Sequence, residues 1–208
     1  MVAACWNKFP ARVAIHWGIR GNPDGWADRG PGLLFLPILN IWICGVMLAL
    51  PRLDPRLRRM AADGARSSQA LAILRLAVTG MLAFVSLLIA ITALGFHFDM
   101  VRLLMNGVLL LFLVLGNFLG NIRQNYTAGI RTPWTLEDAE VWRETHRLGG
   151  RILVLGSLVL LVAQMYMGTL SLLVAFLAFV LGYVTWGFLY SYLRFRARHP
   201  HGAGPISP

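Results

Sequence analysis

Gly129-Ile-Arg-Thr-Pro-Trp-Thr-Leu-Glu-Asp-Ala-Glu-Val-Trp-Arg-Glu-Thr-His-Arg-Leu-Gly-Gly150 is the stretch that decides the reading of this chain. It sets arginines, carboxylates, a histidine and two tryptophans between two strongly apolar runs. Everything around it reads as lipid-soluble helix, so the chemistry is confined to short polar insertions at a membrane surface.

The chain has 208 residues, 57% hydrophobic and only 13% charged, about half the charge of a soluble domain. Long apolar segments explain the deficit: 33–50, 76–96, 103–119, 152–167 and 170–189. Each approaches the roughly 20 residues that cross about 30 Å of hydrocarbon as helix. Met167-Gly-Thr169 leaves almost no loop between the last two, which read as a tight hairpin. The expected fold is all-α and polytopic, with about five spans. Its expected divisions are an extracytoplasmic polar segment 1–31, a membrane domain 32–193 with a structured cytoplasmic insertion 120–151, and a disordered tail 194–208.

The net charge is +10. In a soluble chain that would point to nucleic acid, but here the charges follow the loops. With alternating crossings, the segments 52–75, 123–151 and 194–198 share one side and hold 14 of the 19 basic residues; Lys8, Arg12, Arg20, Arg29 and Arg102 lie on the other. The positive-inside rule places the richer side in the cytoplasm and the N-terminus outside. The expected partner is the lipid bilayer, not nucleic acid. Cys5 and Cys44 are too few for a disulfide framework, and Met1–Pro10 is too short and polar for a signal region.

The N-terminal segment reads as a short extended piece at Val13–Trp17 and a turn at Asn22-Pro-Asp-Gly25. Within the insertion, Thr135 reads as a helix N-cap, with Glu137 and Asp138 in the first turn. Gly149-Gly150 then stops the helix or bends it into the fourth span. Arg143, Arg147 and Arg151 share a face at i, i+4, with Trp142 and His146 in a neighbouring row. This makes a short amphipathic helix near the headgroups.

No cofactor is expected. None of the five histidines lies mid-span, against b-type haem. Zinc-hydrolase, phosphate-loop and nucleophile-elbow spacings are also missing. The third span carries an amide stripe of Asn106, Asn117 and Asn121, extended by Asn125 into the loop. It reads either as helix–helix glue or as the wall of a polar cavity. Gly116-Asn-Phe-Leu-Gly120 permits close helix approach.

These motifs add up to a resemblance. Gly116-Asn117, Asn121-Ile-Arg-Gln-Asn-Tyr126, Gly129-Ile-Arg-Thr-Pro-Trp-Thr135 and Trp142-Arg-Glu-Thr-His-Arg-Leu-Gly-Gly150 resemble the signature of the SdpI family of bacterial immunity proteins. His16-Trp17, Gly21, Asp24-Gly25, Leu36-Pro37 and Leu53-Asp54-Pro55 resemble the domain that often precedes it. The resemblance implies an inner-membrane protein that protects its producer from a secreted toxic peptide by binding, and that signals inward by recruiting a cytoplasmic repressor. The family pattern has one more span ahead of this segment; with only Met1–Lys8 there, either the start is set late or this member has five spans and an outside N-terminus.

The candidate cytoplasmic binding residues are Asn117, Asn121, Arg123, Asn125, Arg131, Thr132, Pro133, Trp134, Thr135, Trp142, Glu144, His146 and Arg147. The extracytoplasmic ones are His16, Trp17, Asp24 and Trp26. Arg131, Trp134 and His146 are expected to share one surface. The competing reading is a membrane enzyme or transporter that works on a lipid-linked or anionic substrate at a cytoplasmic-side cavity.

Overall fold

The computed structural model describes residues 3–55, 58 and 65–200. A 3-10 turn, Ala3–Lys8, leads into an antiparallel hairpin of β1 (Arg12–Trp17) and β2 (Pro23–Asp28). Long helices α1 (Arg29–Leu53), α2 (Ala65–Ala93) and α3 (Met100–Leu119) follow. A short α4 (Pro133–Glu137) then precedes α5 (Ala139–Ala163) and α6 (Thr169–Arg198). Among the described residues five helices are long and apolar enough to cross a membrane. Their outward faces confirm the solvent they were made for: Phe35, Ile38, Trp42, Leu155, Val159 and Leu181 are exposed, which water would penalise and hydrocarbon does not. This is an all-α multi-pass membrane protein.

The extended piece expected at 13–17 is β1. The turn lies earlier than expected, over Gly18–Asn22, where Gly21 takes a φ of 78° and its N–H donates to Gly18 O. Pro23, Asp24 and Gly25 belong to β2 instead. Arg29 fastens the N-terminal turn to α1: it donates to the Trp6 and Phe9 carbonyls, and its guanidinium lies 4.9 Å over the Trp6 ring. Phe9, Val13 and Leu33 pack with Ile89 and Ala90, so the hairpin sits on the ends of α1 and α2.

The α3–α5 pair is the most extensive helix contact. At its centre Gly116 faces Gly150, and a Cβ on either would strike the other's carbonyl oxygen. Gly149 and Gly150 therefore do not stop the helix; α5 runs through them from Ala139 into the apolar span. The cost of about 1 kcal/mol per helical glycine is offset by backbone approach that no larger residue permits. The expected interfacial helix is thus the first half of the fourth span. Likewise α6 continues through Arg194–Arg198, part of the tail expected to be disordered; residues 201–208 lie outside the described residues, as do several of the loop expected at 52–75.

Candidate functional site

Polar residues gather at the two ends of the bundle. At the insertion end, helix α3 stops at Leu119, so Asn121 and Asn125 lie beyond the helix and the amide stripe does not continue. Asn117 and Asn121 are exposed, while Asn106 is half-buried and its side-chain oxygen has no partner. Asn125 is fully buried and organises the loop. Its amide donates to the Arg123 and Ala128 carbonyls, and its oxygen accepts from the Thr127 and Ala128 N–H groups at 2.8 and 2.7 Å. All of its donors and acceptors are thereby engaged.

The loop closes over a buried Trp142–His146 pair, whose rings stack at 3.9 Å. Trp142 Nε1 donates to Ile122 O at 2.7 Å, and His146 Nε2 accepts the Ile130 N–H at 2.9 Å. With Nε2 accepting, the imidazole proton sits on Nδ1 and goes to Trp142 O at 2.8 Å. Gly129 makes this closure possible: its φ is 122°, and a Cβ there would run into His146 Nε2 and the Trp142 ring.

Beyond Gly129 the chain turns into α4. Thr132, not Thr135, is the N-cap; the two threonines form a reciprocal capping box, with Pro133 in the first turn. Thr132 Oγ1 also donates to Ser191 Oγ on α6 at 2.9 Å, and Trp134 packs against Phe188 and Tyr192. Gln124 donates to the Thr135 and Leu136 carbonyls. Asp138 caps α5 and pairs with Arg198, while Glu144 pairs with Arg194 at 2.6 Å. The Asp138 carboxyl sits below its ordinary value: burial opposes this, but the Val141 and Glu140 N–H groups and Arg198 prevail.

The expected shared surface of Arg131, Trp134 and His146 is therefore not assembled. His146 is fully buried under Gly129, whereas Arg131 is exposed and donates to Tyr126 O. The i, i+4 row of Trp142 and His146 faces the bundle, because only there do its rings find Ile122 and Ile130. Arg123, Arg143 and Arg147 point outward. Glu144 is engaged by Arg194, and His146 by the loop.

Asp54 escaped the list of candidates. It ends α1 with its own N–H on Leu50 O, and its buried carboxylate accepts from the Tyr126 N–H and, at 3.0 Å, from Thr127 Oγ1. The acidic residue in Leu53-Asp54-Pro55 was its only signal in the sequence. It ties the helix carrying the hairpin to the insertion.

At the other end His16 and Asp24 pair across the hairpin, Nδ1 to Oδ1 at 2.5 Å. Between the hairpin and the α2–α3 loop opens a cavity of about 590 Å³. Trp17 and Trp26 line it with Arg12, Arg20, His97 and Asp99. Trp26 is half exposed. Asp99 anchors the far wall, capping α3 and accepting from Thr169 Oγ1, and Arg102 donates to Met167 O. Met167 precedes α6 and Thr169 opens it, so these bonds tie the start of α3 to the α5–α6 connection.

Residues 121–190 match the family model described as the SdpI/YfhL protein family, and residues 1–41 match a domain of unknown function (DUF1648). Over residues 121–190 the chain is similar to the SdpI/YfhL protein family. Over 187 residues, 88% of each chain, it is 26% identical to the Immunity protein SdpI of Bacillus subtilis (strain 168). No solved structure matches. The family match spans the loop with Asn125, the Gly129–His146 closure, the threonine box and, on α6, Phe188. The domain match covers the hairpin and the first half of α1.

Proposed function

We propose that this chain is an immunity protein of the bacterial inner membrane, which binds a secreted toxic peptide at the hairpin end and signals to the insertion end. The sidedness follows from the basic residues: the N-terminal segment 1–31 is extracytoplasmic and the insertion 120–151 is cytoplasmic. The observation that carries the proposal is the cavity of about 590 Å³ beneath the hairpin. Trp17 and Trp26 offer rigid aromatic surface to the apolar face of an amphipathic peptide. Arg12, Arg20, His97 and Asp99 surround it with polar groups for the other face. The likeness to an immunity protein over most of both chains supports the same reading.

The route inward is helix α1. Its 25 residues span about 38 Å at 1.5 Å per residue, from the hairpin to Asp54. A peptide that moves the hairpin moves this rod, and Asp54 passes the shift to Tyr126 and Thr127. The exposed residues of the insertion, among them Arg123, Tyr126 and Arg131, are where a cytoplasmic repressor is recruited.

The test is titration of the purified chain with the mature peptide to which SdpI of Bacillus subtilis confers immunity, read by tryptophan fluorescence and calorimetry. Trp17→Ala/Trp26→Ala should weaken binding at least ten-fold, whereas Asp54→Asn should leave binding intact and abolish recruitment of the repressor. Equal affinity of the double variant and wild type would refute capture at this cavity.

A further inference from the structure

At the insertion end, α3 and α5 leave a groove of about 400 Å³ that the proposed capture and signalling do not use. Its walls are Asn117 and Gly120 on one side and Arg147 and Arg151 on the other, with Val154 and Leu155 at its lower end. The Gly116–Gly150 crossing brings the two backbones together behind it. Bare Gly120 lets the Arg147 stem lie across it, since a Cβ there would be 3.3 Å from Arg147 Cγ. Arg147 and Arg151 stand one helical turn apart and are both exposed. Among the described residues neither has a carboxylate partner or a hydrogen bond, unlike Arg143, Arg194 and Arg198 on the same end. No acidic residue lines the groove. Asn117 adds an amide without a partner, exposed at its rim.

Depth then selects the ligand. Arg151 is the last charged residue before the apolar run of α5, and Leu155, one turn on, is 62% exposed. The groove therefore crosses from headgroup level into hydrocarbon. Two guanidiniums and an amide, set directly above an open apolar channel, match a phosphate ester that carries acyl chains. We propose that this groove is a binding site for one anionic phospholipid, its phosphate held by Arg147, Arg151 and Asn117 and one acyl chain lying along Val154 and Leu155. A zwitterionic headgroup suits it less, because its cation would meet two guanidiniums and no carboxylate.

Native mass spectrometry of the full chain, equilibrated in mixed micelles with phosphatidylglycerol or phosphatidylcholine and then washed, tests this. The wild type should retain one phosphatidylglycerol, at least ten-fold more than phosphatidylcholine. Arg147→Gln/Arg151→Gln should reduce retention at least ten-fold. Arg58→Gln/Arg196→Gln removes the same charge from exposed positions elsewhere and should retain the lipid as wild type does. Thermal unfolding of each variant, within 2 °C of wild type, accompanies the comparison, and Arg147→Lys/Arg151→Lys should restore part of the retention. Equal loss in the two glutamine variants would overturn the proposal in favour of diffuse charge. Displacement of the lipid by equimolar inorganic phosphate would overturn it in favour of a free-anion site.

Discussion

At the scale of single residues, the insertion is held by groups that have no freedom to be anything else. Gly129→Ala adds a Cβ at a φ of 122°, aimed at His146 and Trp142. The expected cost is about 3 kcal/mol or more, read as a fall in melting temperature of the detergent-solubilised chain. His146→Ala strands the Ile130 N–H and empties space beside Trp142, and should cost about 2–4 kcal/mol. Asn117→Leu, by contrast, removes no hydrogen bond among the described residues and should change stability by less than about 0.5 kcal/mol. Spacing alone identified Trp142 and His146 as one row. It did not reveal which way the row faced, because a period of 3.6 fixes relative and not absolute orientation. The burial of His146 depends on Gly129, 17 residues earlier, and that closure is a tertiary event. Asn125 was similarly legible as polar and illegible as the hub of a loop.

At the scale of elements, Asp138 joins three of them: it ends α4, caps α5 and holds the end of α6 through Arg198. Asp138→Ala should cost about 1 kcal/mol through the lost cap. Its folded carboxyl titrates below the ordinary 3.8, so its contribution is complete above that value and is lost as pH falls through the lower folded value. Thermal stability of the wild type should therefore drop as pH falls below about 3.8, and the drop should be shallower in Asp138→Asn; equal slopes would contradict the assignment. The apolar runs made the five long helices legible. Their ends were less so. Gly149-Gly150 carries a local stop signal, overridden by the partner at Gly116, and the start of α4 falls at Thr132 because Pro133 prefers the first turn. The hairpin's turn moved to Gly18–Asn22 because Gly21, not Gly25, supplies the positive φ.

At the scale of the whole molecule, one rod joins a cavity at one end to a buttressed loop at the other. Sidedness is checked by Glu137→Cys, an exposed position of the insertion, on a background with Cys5 and Cys44 replaced. A membrane-impermeant maleimide should label it only after the cytoplasmic face is opened; labelling of intact cells would invert the topology. Composition and loop charge made the membrane architecture legible, since both are sums over many residues. The cavity beneath the hairpin was not, because Trp17 and Trp26 meet His97 and Asp99 only once α2 and α3 have packed. The central claim is peptide capture that protects the cell. It is tested most directly by survival of Bacillus subtilis cells that lack their own SdpI, express this chain and are challenged with the secreted toxin. Wild type should restore survival, and Trp17→Ala/Trp26→Ala at equal membrane abundance should lower the surviving fraction at least ten-fold. No rescue by the wild type, or full rescue by the double variant, would contradict the account.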